Sequence, residues 1–344
     1  MKPILACWFS SLCSLFAIPA NTTLTLITDP NFNRITVTVS PKVGAISLPD
    51  TDVTTLTGSV TAYLDIDPLT AKTKELTLVN GRASGTNMNF ARSIFLVGGY
   101  NINVTNLSAA INTITPPGVV TPATGQFAAN QHRFDIDQGT ISGTALGDPV
   151  NQSFTPANPA SGTGTGTGTV ILAPAGDSGI FRIFTVTMTL PVAINDTFLS
   201  GTTSVAITAT GTVKATGTVQ VPRTEYLAWT VAEGISGAHF EIDSNGYGVA
   251  NGLVWALGLS NSADPRPYLP RPHPLVPGGF LISLPEGGTT APILIQSSSQ
   301  LGSWSPASGV LAPANPLPAA STGNIAIQPN GSPTRFIRLQ VNES

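Results

Sequence analysis

Charge is scarce in this sequence. Lys and Arg number 15 and Asp and Glu 18 among 344 residues, so charged side chains make up 10% of the chain, against roughly 25% in an ordinary soluble domain. With a net charge of -3 and no run of Lys or Arg, the chain has little with which to displace counterions from a phosphate backbone. Nucleic acid is therefore excluded as a partner. A disordered chain is excluded too, because 41% of the residues are hydrophobic and the net charge is small. Histidine is limited to His132, His239 and His273, with no paired spacing suited to zinc, and no Gly-x-Ser-x-Gly elbow marks a hydrolase nucleophile.

Cysteine is scarcer still, with only Cys7 and Cys13. Both fall in Met1–Ala20, which carries one Lys, then apolar residues, and ends in Ile18-Pro19-Ala20. This pattern predicts a secretory signal peptide cleaved near Ala20. The mature chain would then hold no cysteine, which excludes disulfide staples and thiol chemistry. No later window approaches the about 18 uninterrupted apolar residues of a membrane-crossing helix, so no transmembrane span is expected.

What the sequence has in quantity is Thr, Ser, Asn, 34 Gly and 29 Pro, a composition of strands and turns. At roughly 150 residues per domain the length suggests two or three domains. From Asn21 to Val221 apolar residues alternate with threonines, as in Arg34-Ile35-Thr36-Val37-Thr38-Val39 and Phe184-Thr185-Val186-Thr187-Met188-Thr189-Leu190. That period of two predicts half-buried strands. The expected fold class is all-β: a large antiparallel β-sandwich or wide sheet, with threonine faces solvated and apolar faces stacked. The Gly-Thr run from Ser161 to Thr169 can be a flexible linker or a strand with one bare face. The favoured reading is a loop leading into a strand at Thr169-Val170-Ile171-Leu172.

A boundary is expected at Val221-Pro222. Beyond it, residues 222–262 read as a helix-loop-helix, residues 263–279 as a stiff Pro-rich connector, and residues 280–344 as a small β-domain. Within the loop, Asp243-Ser244-Asn245-Gly246-Tyr247-Gly248-Val249-Ala250-Asn251 follows the spacing of an EF-hand-type calcium site. Asp243, Asn245 and Asn251 fall at ligand positions and Gly248 at the sharp turn. Tyr247 and Val254 stand where two further acids are needed, so one carboxylate remains. The loop is expected to keep its shape without useful calcium affinity, and no cofactor is expected. A short helix from about Ala250, ended by Gly258 as a left-handed cap, should follow.

Five ordered elements resemble the C-terminal module of secreted and cell-surface bacterial proteins whose loop is similar to dockerin and thrombospondin type 3 calcium repeats. They are Tyr226-Leu227-Ala228-Trp229, the loop from Asp243 to Asn251, Val254-Trp255-Ala256-Leu257-Gly258, Ser298-Ser299-Gln300-Leu301-Gly302-Ser303-Trp304, and Arg335-Phe336-Ile337-Arg338-Leu339. The resemblance covers about residues 223–344 and departs from the acidic pattern at Tyr247, Val254 and Gln300. It implies export and an accessory role in attachment or display, without catalysis. Residues 21–221 resemble no family of known activity.

Paired carboxylates are the remaining catalytic candidates. Asp65 with Asp67, and Asp135 with Asp137, sit at i and i+2, hence on one face of a strand. Were the two strands neighbours, the four acids would form a cation site or a glycosidase pair; the plainer reading is a solvated strand face. The tryptophans Trp229, Trp255 and Trp304 suit core packing better than a carbohydrate platform, and Tyr63, Phe95 and Tyr100 suit either. Together these features predict a non-enzymatic extracellular or cell-surface protein with a structural or adhesive role. Its partner would be a cell-surface or matrix component, polysaccharide included. A β-module binding a glycan or apolar ligand is the second reading, and a secreted hydrolase the third.

Overall fold

The computed structural model describes residues 17–43, 46–94, 98–145, 147–200, 203–312, 314–328 and 336–342. The chain divides into two compact units after Val221. The first holds β1 (Ile18–Leu26), β2 (Arg34–Val43), β3 (Ile46–Ser47), β4 (Asp50–Asp67), β5 (Lys72–Gly85), β6 (Met88–Ile94), β7 (Gly98–Thr113), β8 (Val120–Thr121) and β9 (Gln126–Ala128). It continues with β10 (His132–Ala145), β11 (Asp148–Phe154), β12 (Ala160–Gly164), β13 (Thr167–Ser178), β14 (Phe181–Ser200) and β15 (Thr203–Pro222). All fifteen belong to one sheet, as the alternation predicts.

The sheet closes on itself. Neighbours run β15-β1-β4-β5-β7-β10-β12-β14, and β14 pairs again with β15. Closure leaves the strands of this ring without free edges, while β3, β6, β8 and β11 each pair with a single neighbouring strand. The period of two then sorts the side chains. Ile35, Val37 and Val39 are buried, while Arg34 and Thr36 are exposed. Leu24, Leu76, Phe90, Ile102, Phe184 and Leu190 join the same continuous interior. Threonines pair across strands outside, as with Thr38 and Thr51 (2.9 Å) and Thr105 and Thr140 (2.9 Å). Such pairs contribute about 0.2–1 kcal/mol each. Polar outside and apolar inside is the reverse of what a lipid-facing barrel requires. Among the described residues no helix is long and apolar enough to cross a membrane.

The Gly-Thr run differs from the favoured expectation of a loop. Its residues form the end of β12 and the start of β13, both paired to β14, and the glycines are where neighbours come close. A Cβ on Gly164 would stand 2.3 Å from the Ala129 carbonyl oxygen, and one on Gly168 2.4 Å from the Phe127 ring. The bare face is thus a packing surface, which the composition of the run alone does not reveal. β1 spans the expected cleavage position, with Ile18, Pro19 and Ala20 opposite Ile66, Asp65 and Leu64. The rest of the expected leader, residues 1–16, with both cysteines, lies outside the described residues.

In the second unit, α1 (Glu225–Ala232) starts at Thr224, whose hydroxyl accepts from the Leu227 amide (3.2 Å), and α2 is Asn251–Ala256. Gly258, at φ 70°, ends α2: its amide bonds the Trp255 carbonyl and the Leu259 amide the Val254 carbonyl. This double bond pattern is a Schellman stop. Then follow β16 (Arg271–Pro272), β17 (Phe280–Leu284), β18 (Leu294–Ser298), β19 (Ser305–Pro306), β20 (Val310–Leu311), β21 (Gly323–Ile327) and β22 (Phe336–Gln340). They form two sheets, β16-β17-β21-β20 and β19-β18-β22. The expected extended connector at 263–279 instead doubles back. Arg266–Tyr268 make a 3-10 turn, Arg271 and Pro272 pair with Leu281 and Phe280, and the His273 amide bonds the Gly279 carbonyl (2.9 Å). Prolines tolerate an edge strand, and the Arg271 and His273 between them keep their amides for pairing.

Candidate functional site

The four strand acids do not meet. In the sheet order β5 and β7 lie between β4 and β10, three strand spacings or about 14 Å. Each acid has local partners. Asp65 pairs with Lys74 (2.9 Å), and that carboxylate, through its hydrogen bond first, raises the Lys74 ammonium above its usual range. Asp67 accepts from the Leu69 amide (2.8 Å) and the Thr70 amide (3.2 Å), which folds the β4–β5 turn. Asp135 accepts from Arg133 (2.7 Å) and Ser161 (2.6 Å). Asp137 takes a two-pronged bond from Arg82, at 2.5 and 2.9 Å, at a register shift in the β10–β7 ladder. The four-acid cluster expected if the two strands were adjacent is therefore not formed.

The loop at Asp243 is built to satisfy itself. Asp243 Oδ1 accepts from the Gly246 amide (2.8 Å) and Oδ2 from the Gly248 amide (2.7 Å). The Gly248 bond, foremost, holds this exposed carboxyl below its usual range. Asn245 Oδ1 accepts from the Tyr247 amide (3.2 Å), while its Nδ2 donates to the Asn261 carbonyl (3.0 Å). Fully buried Asn251 accepts from the Ser244 amide (3.0 Å) and donates to the Ser244 hydroxyl (2.9 Å) and the His239 carbonyl. Arg266 lies over the Tyr247 ring at 5.0 Å, so a guanidinium stacks where a calcium loop would have an acid. Val254 is buried in the core. The side-chain oxygens of Asp243, Asn245 and Asn251 thus each accept a backbone amide, and Asp243 supplies the one carboxylate at these positions.

Replacing Asp243 by alanine should therefore speed amide exchange at Gly246 and Gly248 on the order of tenfold, because the charged acceptor of both amides is lost. Adding millimolar calcium should leave exchange in the wild-type chain unchanged. Slowing by calcium that disappears in Asp243→Ala is the contrary result.

The histidines are not assembled with acids. His132 is fully buried, its Nδ1 3.0 Å from the Thr113 hydroxyl and its ring edge-on to Phe127 at 5.1 Å. Its Nε2 has no hydrogen-bond partner among the described residues, and burial lowers its pKa to about 4. His273 Nδ1 accepts from the Leu275 amide (3.1 Å). Among the described residues no three His, Cys, Asp or Glu side chains gather as a metal group. The aromatics do not form a platform either. Tyr226 packs on Trp229, Phe240 and Trp255, with centroids 4.9–5.9 Å apart. Trp304 sits under Arg338 at 4.4 Å. Tyr63 is exposed and Tyr100 buried, on separate strands, and Phe95 lies outside the described residues.

One feature was not legible as a site in the sequence. Seven strands, among them β2, β4, β7 and β14, enclose an apolar cavity of about 80 Å³ bounded by residues such as Val37, Leu56, Leu107, Phe134, Ile136 and Ile194. Its lining comes from residues up to 178 positions apart (Ile35 to Val213), so no local motif announces it. No protein-family model, curated protein or solved structure matches this chain.

Proposed function

We propose that this is a non-enzymatic exported protein that acts outside the cell as a structural or adhesive element. The observation that carries this reading is the filling of the closed sheet. The interior cavity of about 80 Å³ is well below the roughly 300–1,000 Å³ of a small-molecule pocket, which supports a packed interior; a separate recess of about 330 Å³ lies beside Tyr63, Asp65 and Glu75 on the same unit. Two further facts support it: the strand acids are each engaged locally, and the threonine exterior is neutral and hydroxyl-rich. A cell-surface or matrix component, polysaccharide included, is the partner class that such a surface suits.

Expression of the full chain in a bacterial host, followed by protease treatment of intact cells, tests this. Most of the chain should be lost to external protease or found in the medium. Full protection inside intact cells, or a turnover activity of the purified chain on glycosides or esters, overturns the reading.

A further inference from the structure

We propose that the free edge of β22 in the second unit is a docking site for an extended, basic-apolar peptide that adds to the sheet as a strand. In the β19-β18-β22 sheet, β22 pairs only with β18, and among the described residues nothing pairs with its other side. A groove of about 930 Å³ opens there. Residues 338–342 line one wall and residues 239–242 with Leu253 the other. The edge spans five residues, about 17 Å, and the groove has room for a short segment of chain.

The two walls offer different chemistry, and that difference selects the occupant. On the wall opposite β22 the backbone is already used: the His239 carbonyl accepts from the Asn251 side chain, the Phe240 carbonyl from the Gly252 amide and the Ile242 carbonyl from the Asn251 amide. With these three carbonyls taken, that wall presents mainly side chains, with Phe240 buried and Ile242 exposed. β22 is antiparallel to β18, so alternate residues turn their amides and carbonyls away from β18 and into the groove. A row of alternating donors and acceptors is matched by another extended backbone, and apolar side chains across from it read every second residue of that backbone.

Natural sheets protect such edges with charges, prolines or bulges. β22 reads Phe336-Ile337-Arg338-Leu339-Gln340, and its one charge is turned onto the sheet face. Arg338 Nε donates to Gln296 on β18 (2.7 Å), and its guanidinium lies 4.4 Å over the Trp304 ring. Among the described residues the edge is left unguarded. Glu241 on the facing wall is exposed and has no ion pair among the described residues, and the groove's one cation, Arg338, is held on the sheet face by Gln296 and Trp304. A lysine or arginine on the incoming strand complements that wall. This gives the adhesive reading a partner class. Peptide binding is measured on the purified chain and export in cells, so either can fail without the other.

The test uses the full purified chain and a fluorescein-labelled, end-capped heptapeptide, Thr-Val-Lys-Val-Thr-Val-Thr, titrated by anisotropy. Saturable micromolar binding is expected, with slowed exchange at alternate amides of β22. The same peptide N-methylated at its valines, which cannot pair as a strand, should bind at least tenfold more weakly. Glu241→Lys and the groove-filling Ile242→Trp, both at exposed positions, should each weaken binding at least tenfold with the thermal midpoint unchanged. No binding at millimolar peptide, equal binding of the N-methylated peptide, or sedimentation showing the edge closed by a second copy of this chain overturns the proposal.

Discussion

Substituting valine for Gly164 is expected to destabilise the first unit by about 3–4 kcal/mol, at the upper end of what single substitutions do. The Cβ alone would stand 2.3 Å from the Ala129 carbonyl oxygen and 2.8 Å from the Ala129 side chain. Both contacts involve atoms that cannot swing aside, since Ala129 is itself fully buried and bonded through its amide to the Gly166 carbonyl (3.0 Å). Overpacking of about 1–3 kcal/mol is then joined by displacement of the backbone of β12 and of the turn Ala129–Gln131. Thr163→Val, one residue away on the exposed face, should stay within about 0.5 kcal/mol. Urea unfolding of the two variants separates a packing surface from a flexible linker, since a linker would tolerate both alike.

His132 should make stability depend on pH in a defined window. Burial lowers its pKa to about 4 in the folded chain, from an ordinary value of 6.5. Between these values the unfolded chain binds the proton and the folded chain resists it. The stability from keeping the ring neutral is therefore complete above about pH 6.5 and is lost as pH falls toward about 4. At about 1.4 kcal/mol per pH unit the loss reaches about 3 kcal/mol. His132→Phe keeps a ring beside Phe127 and removes both the titration and the unpartnered Nε2. Urea unfolding at pH 7, 6, 5 and 4 should show the wild-type chain falling toward, or below, the variant by that amount. Parallel pH curves for the two chains would mean that His132 is solvated and not sealed in the core.

These positions show what can and cannot be read from residues alone. The strands at Arg34–Val39 and Phe184–Leu190 were legible because burying one face imposes a period of two on neighbouring residues. The helix stop at Gly258 was legible for a similar reason, since the left-handed cap is a property of one residue in its own turn. Closure of the sheet was not, because pairing such as Thr25 with Thr216 leaves no mark on local pattern. The strand acids fall between these cases. Their common face followed from spacing, yet whether they converge depends on strand order, and two intervening strands kept them apart. The Gly-Thr run misled because glycine reads as freedom when nothing is known of what packs against it. The spacing of the loop predicted ligand positions at Asp243, Asn245 and Asn251, with Tyr247 and Val254 in place of two acids. Which amides the remaining oxygens would serve required the coordinates.

The closed sheet also orders events in time. β1 is completed by β15: Thr25 lies opposite Thr216, and the Thr22 hydroxyl donates to the Thr218 carbonyl, 196 residues along the chain. Contacts of such sequence separation form slowly, after the entropy of a very long loop has been lost. The ring cannot shut until nearly all of the first unit has left the ribosome, so the nascent chain stays open and threadable. Were the chain exported as proposed, that delay would let it cross a narrow translocation channel before folding.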